Sequence, residues 1–518
     1  MTNPGLHSRN ALLILAILLA TVATTYYMAL DSGHKWWGDF SLYMTHAKNI
    51  AESRPYAATH IIVNPEVPGF SPPSYPPVYP LLLAPLYKFF GLDLFPPKVL
   101  NLAIFVLTLF IFYWYFAGKL ATWLSAIGVT AALAFSPWFW ELKNIINSDL
   151  PFIFFLLTTL IVADRFSTLP TQGRYYWLTA IALGTLTYLS YATRSLGLLL
   201  IPALVLHDLL TKRTIRPGTL LAIAVFVLLN LLESHLLDIN VASSYVSDVV
   251  TLSTSDSAST STPTSITGMI VGLVMGFAEN ILPNMRLYAG VLLNYWWNNV
   301  SNAFMIFMTI ATGLLALTGF IRSCFNNISV FTIYFFIYIC ALIVVPVNQD
   351  YRYLMPVLPI YLLYIFIGAE YLANQLATSR TFRHTPLVVI ALVGMTYTGK
   401  YFFSGEASVH ESITDTDAVE LYDYIRNNIP VDSHIKFAEP RILAMYTERY
   451  SSVYNFTDKT LDQIWAGFLH AGATHLLVYK RNVEWAEFLN NRRLVYKFKE
   501  NLQPVFTSGY FALYKISP

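Results

Sequence analysis

The chain has 518 residues, of which 55% are hydrophobic and 12% charged, with a formal net charge of +2 and mean hydropathy +0.51. A soluble globular domain carries about 25% charged residues; half that share cannot coat a water-facing surface, so lipid is the main solvent expected. The near-neutral balance gives no electrostatic footprint for nucleic acid, and the two cysteines, Cys324 and Cys340, supply no basis for thiol or zinc chemistry.

A membrane-crossing helix needs about 20 mostly apolar residues. Apolar stretches at 11–30, 99–117, 120–137, 150–163, 176–192, 196–210, 220–236, 303–321, 330–347, 354–373 and 387–403 predict about eleven spans. Taken alternately, one set of connecting loops carries Arg9, Lys119, Arg165, Arg174, Lys212, Arg213, Arg216, Arg322, Arg380 and Arg383. Positive charge marks the cytoplasmic side. The N-terminus is therefore expected in the cytoplasm, and the C-terminus outside the membrane.

Two outer segments are unusual. Residues 31–98 form a connection far longer than the usual few residues. Within it Phe40, Tyr43, Met44, Ala47, Ile50 and Ala51 fall at helical spacing, which predicts an amphipathic helix lying on the membrane surface. Residues 237–302 begin with a Ser/Thr-rich stretch, 251–267, and continue into apolar pieces at 268–282 and 287–297, read as interfacial or re-entrant helices. An additional span within 268–300 stays open.

From about Glu411 the composition changes. Residues 434–438, 476–479 and 511–516 read as strands; Val419, Leu421, Tyr422 and Ile425 mark a helix, and 461–471 and 483–489 read as helices. The expected fold is thus mainly α, a polytopic transmembrane bundle over residues 1–405 that includes the first outer loop at 31–98. A small extracytoplasmic α/β domain follows over 406–518, within the usual size range of a domain.

The topology collects four charged residues on the outer side. Asp39 follows the first span, Asp149 opens the fourth, Arg194 links the fifth and sixth, and Arg352, between Tyr351 and Tyr353, opens the tenth. A carboxylate can take the proton of an attacking hydroxyl or amine. Arginine can hold a departing phosphate through paired hydrogen bonds and neutralise its growing charge. No Gly-rich phosphate loop or His-x-x-x-His pair appears. Each residue also has a plainer reading. Asp39 and Asp149 stand where helix N-caps belong, Arg194 and Arg352 where long cations snorkel to headgroups, and Trp36, Trp37, Trp138, Trp140, Trp296 and Trp297 where aromatic belts form. His34, His46 and His60 share the first outer loop at irregular spacing, which is weak ground for a metal site.

Trp37-Gly38-Asp39 after the first span, followed by a long helical outer loop, resembles the GT-C membrane glycosyltransferases, in particular the protein O-mannosyltransferase and lipid A aminoarabinose transferase families. Four more stretches share the pattern. They are Tyr75-Pro76-Pro77-Val78-Tyr79-Pro80 leading into the second span, Ser148-Asp149-Leu150-Pro151 at the fourth, Thr193-Arg194-Ser195-Leu196-Gly197 before the sixth, and Gln349-Asp350-Tyr351-Arg352-Tyr353-Leu354-Met355-Pro356 at a late span. The resemblance implies a polyprenyl-phosphate sugar donor and a glycan, lipid or protein acceptor at the membrane. It makes Asp39 the base and Asp149 a second acid. Arg194, Arg352, Tyr351 and Tyr353 become donor-phosphate contacts, and Trp37, His60 and Tyr75 candidates for the substrate cavity. There are departures: Phe40 stands where the mannosyltransferase pattern often has a second acid, and Ser74-Tyr75 where the aminoarabinose pattern has Glu-Lys. No cofactor is assigned, and the wider group leaves room for a divalent metal. The expectation is an inverting glycosyltransferase in the cell membrane; the alternative is a transporter or lipid-glycan flippase, which would place ionisable groups near the bilayer midplane.

Overall fold

A computed structural model of the chain describes residues 9–36, 38–62, 64, 74–120, 122–237, 281, 284, 303–326, 328–344, 351–376, 412–454, 456, 459–480 and 485–517. The expected Ser/Thr-rich stretch at 251–267, most of the two apolar pieces that follow it, and the last expected span at 387–403 lie outside these residues. The chain divides into two compact units. One is drawn from Met1–Leu30, Lys98–Leu236 and Val249–Glu406, the other from Asp31–Pro97, Leu237–Asp248 and Ala407–Pro518.

In chain order the first helices are α1 (Arg9–Met28), α2 (Phe40–Ala51), α3 (Val78–Phe90), α4 (Phe95–Phe116), α5 (Trp123–Ala134), α6 (Pro137–Leu142), α7 (Asp149–Thr168), α8 (Arg174–Tyr191), α9 (Leu200–Lys212) and α10 (Pro217–Leu237). The helices Ala303–Asn326, Val330–Val344 and Leu358–Leu376 also belong to the first unit, whereas α2 and α3 belong to the second. Six helical stretches among the described residues are long and apolar enough to cross a membrane, and four more apolar helices are shorter. Apart from 387–403, a helix stands at every span expected from the sequence. The Tyr75-Pro76-Pro77 stretch does not lead straight into the second span as expected: α3 intervenes, ended by Gly91, whose φ of 63° suits a residue without a Cβ.

The first unit is a helical bundle whose two ends carry different chemistry. At one end Lys119 pairs with Asp164 at 2.9 Å, and the Arg216 guanidinium donates to Asp208 at 2.8 Å and to the Phe166 carbonyl at 2.9 Å. Tyr176 accepts from the Gly218 amide at 3.0 Å. The loops assigned to one membrane face from their basic residues therefore meet. At the other end Asn144 donates to the Ala29 carbonyl, and Asn101 reaches the Asn147 carbonyl. Between them lies an apolar core in which helices Ala303–Asn326 and Leu358–Leu376 touch backbone to backbone. A Cβ on Gly319 would fall 2.0 Å from the Tyr364 carbonyl oxygen, and one on Gly368 2.0 Å from that of Leu315. Small residues let helices approach this closely where no hydrophobic effect drives them together.

The second unit holds a five-stranded sheet in the order β2-β1-β3-β5-β4, with β1 (His434–Lys436), β2 (Tyr450–Ser452), β3 (His475–Tyr479), β4 (Leu502–Thr507) and β5 (Phe511–Ile516). β1 runs parallel to β2 and β3, whereas β3–β5 and β5–β4 are antiparallel. Helices Thr416–Asn428, Pro440–Thr447, Leu461–His470 and Trp485–Lys497 accompany it. The first outer loop is built into this unit. Ile61 bridges Ser451 in parallel at the edge of β2. His34 donates its amide to Ser412 Oγ at 3.0 Å. Trp36, expected as an interfacial anchor, is instead 5% exposed, with its ring 5.1–6.1 Å from those of Tyr422, Phe437, Tyr479 and Phe511. Helix α2 is likewise not a surface-lying amphipathic helix. Polar Ser41, Thr45, His46 and Asn49 are buried along with its apolar residues, and it packs against α3 and Pro440–Thr447.

Candidate functional site

The charged residues singled out in the sequence fall into two groups, one in each unit. In the helical bundle, Asp149 opens α7 and is completely buried. It does not cap its own helix through its side chain; Ser148 is the N-cap residue. Its Oδ2 instead accepts from Arg352 Nη2 at 2.8 Å and Nε at 3.1 Å, and its Oδ1 is ion-paired with Arg194 Nη1. The two guanidiniums keep 16% and 25% of their side-chain surface. Three of the four residues therefore come together, from three separate stretches of chain.

Local structure explains how each one reaches the site. The Asp149 amide donates to Asn147 Oδ1 at 3.3 Å, which shapes the turn into α7, and a carboxylate at a helix N-terminus meets the favourable end of the helix dipole. Arg194 leaves α8 in an extended conformation at φ −150°, and Ser195–Leu199 then forms a 3-10 turn before α9. That turn folds onto the end of α8: a Cβ on Gly197 would come within 2.5 Å of the Ser190 and Tyr191 backbone. Arg352 lies in a second 3-10 turn, Tyr351–Val357, which packs against α7. Tyr338 holds that turn by donating to the Tyr353 carbonyl at 2.7 Å, and the Tyr353 ring lies 5.1 Å from the Arg194 guanidinium carbon. Tyr353 thus contacts a candidate phosphate ligand; the Tyr351 side chain and all of Trp37 lie outside the described residues.

In the second unit Asp39 precedes α2 at its N-cap position but makes no side-chain cap bond. Its Oδ1 accepts from the Tyr75 hydroxyl at 2.8 Å and faces Arg441 Nη1 at 3.4 Å. Tyr75, the residue before the two prolines, is held from several sides. Its amide donates to His46 Nε2 at 3.2 Å, its carbonyl accepts from the Tyr56 hydroxyl at 2.7 Å, and its ring lies 4.7 Å from that of Tyr43. The other His46 nitrogen, Nδ1, meets the Tyr56 carbonyl at 2.9 Å. One imidazole thus accepts through Nε2 and donates through Nδ1, the neutral tautomer. Burial agrees with this, pushing His46 down from 6.5 to about 4.

His60 joins neither group. It adopts a left-handed φ of 56°, accepts from the Ser451 amide through its carbonyl, and lies with its ring 5.4 Å from that of Tyr450. Desolvation lowers its pKa. Arg441 escaped the sequence reading because nothing in the tail's pattern sets one arginine apart from its neighbours.

The described residues do not suit a resident divalent ion. No three His, Cys, Asp or Glu side chains gather among them. Both Asp149 oxygens face guanidiniums, and the Asp39 Oδ1 faces a third, where a metal would meet like charge.

No protein-family model matches the chain, and no curated protein matches it. Solved structures do. The archaeal oligosaccharyltransferase AglB from Archaeoglobus fulgidus, in complex with an inhibitory peptide and a dolichol-phosphate, aligns at TM-score 0.57 and 11% identity over 92% of this chain and 70% of that one. The Archaeoglobus fulgidus oligosaccharyltransferase tethered to an acceptor peptide containing the NVT sequon aligns at TM-score 0.58 and 10% identity, over 97% and 74%. ArnT from Cupriavidus metallidurans bound to undecaprenyl phosphate aligns at TM-score 0.45 and 13% identity, over 96% and 97%. The chain has the fold of the GT-C membrane glycosyltransferases.

Proposed function

We propose that this chain transfers a sugar from a polyprenyl-phosphate-linked donor to an acceptor on a lipid, polysaccharide or protein, at the extracytoplasmic face and with inversion. The observation that carries the reading is Asp149 held between Arg194 and Arg352 in the helical bundle. Both guanidiniums that hold the buried carboxylate keep part of their own surface exposed. A snorkelling arginine would point at headgroups and need no buried acid. Two arginines locked on one buried carboxylate form a preorganised anion site.

The charge change of the reaction matches such a site. The donor is a phosphodiester; the leaving group is a phosphate monoester with more negative charge. Fixed guanidiniums therefore bind the departing lipid phosphate more strongly than the intact donor, which is the condition for accelerating the step. In that step the acceptor oxygen or nitrogen bonds to the anomeric carbon, the bond from that carbon to the phosphate oxygen breaks, and the acceptor proton passes to the Asp39 carboxylate. Asp149, with guanidiniums on both oxygens, orients the arginines. The fold likeness to enzymes solved with a dolichol-phosphate or an acceptor peptide supports the same class of donor.

The test uses full-length protein in lipid nanodiscs with the total lipid extract of its native membranes as the source of donor and acceptor. Free polyprenyl phosphate is followed by mass spectrometry. Release that depends on the protein and disappears in Asp39→Asn is the expected result. No release above a protein-free control, with folded protein and donor present in the extract, would remove the proposal.

A further inference from the structure

The geometry points to Arg441, on the tail helix Pro440–Thr447, as a positioning residue for the Asp39 carboxylate, so that the C-terminal domain completes the acceptor-activating group. This rests on the reading of Asp39 as the base.

Asp39 is separated from Arg441 by 402 positions, yet Arg441 Nη1 lies 3.4 Å from its Oδ1, the oxygen that also accepts from Tyr75. The Arg441 side chain is only 8% exposed, against 32% for that of Asp39. A nearly buried cation is thus presented to a partly exposed carboxylate. Because the Asp39 side chain makes no cap bond to the start of α2, the orientation of the carboxylate is not set by its own helix. Tyr75 supplies a neutral donor and Arg441 a charged one to the same oxygen. That arrangement fixes the plane of the carboxylate, and a base that must meet a reacting hydroxyl within hydrogen-bond reach needs such fixing.

The helix bearing Arg441 is itself fastened along α2. Beyond its C-terminal end, Glu448 adopts a left-handed φ of 53° and pairs with Lys48 of α2 and with Arg54, the latter at 2.8 Å. These partners draw the Glu448 carboxyl down from 4.5 to about 2, the Lys48 bond contributing most. The two helices are joined at both ends, Asp39 with Arg441 and Lys48 with Glu448. Only the first pair touches the proposed base. The second therefore separates loosening of the helix from a specific role for the arginine.

The variants Arg441→Gln, Arg441→Lys and Glu448→Gln are assayed as full-length protein in nanodiscs, with the native lipid extract titrated as substrate. Melting temperature and binding of purified undecaprenyl phosphate are measured alongside. A misplaced catalytic group can cost up to about 100-fold in rate. The expected result is a maximal rate about tenfold or more lower in Arg441→Gln, partly restored in Arg441→Lys, with half-saturation and undecaprenyl phosphate binding unchanged. Glu448→Gln should keep the native rate. A native maximal rate in Arg441→Gln overturns the inference, as does an equal loss in Glu448→Gln. If Arg441→Gln does not give folded protein, Arg441→Met, which keeps the buried aliphatic stem, takes its place under the same outcomes. The two readings fail separately. A fully active Asp39→Asn removes the base itself, whereas an inactive Asp39→Asn beside a fully active Arg441→Gln removes only the role of Arg441.

Discussion

Arg352 donates twice to one oxygen of Asp149, through Nη2 at 2.8 Å and Nε at 3.1 Å, while Arg194 takes the other oxygen. Breaking a buried ion pair by removing one partner costs about 3–5 kcal/mol, because the remaining charge is left without compensation. Asp149→Ala strands two guanidiniums and is expected to destabilise the protein by an amount in that range. Removing Arg194 as well should cost less than the sum of the single changes, since neighbours in one network couple. Thermal unfolding in detergent of the two single variants and the double variant checks this; additive losses would mean that the cluster is not a unit.

Asp39 leads to a catalytic prediction with little effect on stability. Asn at this position still accepts from Tyr75 but cannot take a proton. A positioned general base contributes about 100- to 10,000-fold, so the maximal rate of Asp39→Asn should fall by at least the lower of these factors. Its melting temperature should stay within a few degrees of wild type. The rate is read from release of polyprenyl phosphate.

His46 makes the protein sensitive to acid. Its native pKa of about 4 lies below the ordinary 6.5, so the unfolded chain binds a proton before the native one does. The sign follows: this contribution is complete above pH 6.5 and is lost as pH falls toward 4. Protonation also removes the Nε2 acceptor that holds the Tyr75 amide. Over that window the loss approaches about 3 kcal/mol. His46→Asn should be less stable at neutral pH but show a flatter decline from pH 6.5 to 4, measured by melting temperature across a pH series. An unchanged slope would mean that His46 is not buried as a neutral group.

The Gly319–Gly368 contact predicts a packing defect. Gly319→Ala puts a methyl where the Tyr364 carbonyl oxygen is only 2.0 Å away, so the helices must separate. Overpacking costs about 1–3 kcal/mol. Gly467→Ala, in the tail helix Leu461–His470, meets nothing within 4 Å and should be neutral or stabilising. Comparing the two melting temperatures separates a real close approach from a general penalty for losing glycine.

Much of the helical bundle was legible because each apolar run is long, and burial in lipid leaves helix as its available form. Asp149, Arg194 and Arg352 were legible as a group because spans alternate in direction, which sorts loop residues onto two faces. Their pairing was not, since it depends on two 3-10 turns whose geometry no periodicity reveals. The same holds for the second unit. Strands β2 and β4 escaped because Tyr450–Ser452 is three residues long and Leu502–Thr507 contains Pro504, both weak signals. The buried polar face of α2 reads as a solvent face in any amphipathic analysis. It is covered by the chain at Tyr56–Ala58, by Tyr75 and α3, and by the tail helix Pro440–Thr447, and the Asp39 partner Arg441 also lies in that tail.

In the proposed reaction the paired arginines on Asp149 receive a lipid phosphate. That role is decided by the binding of purified undecaprenyl phosphate to the full-length protein in nanodiscs, compared with Arg352→Ala and with undecaprenol. The expected result is saturable binding of the phosphate, affinity lowered about tenfold or more in the variant by loss of a charge-assisted pair, and little binding of the alcohol. Equal affinity for phosphate and alcohol, or a folded Arg352→Ala that binds the phosphate as tightly as the native chain, would contradict it.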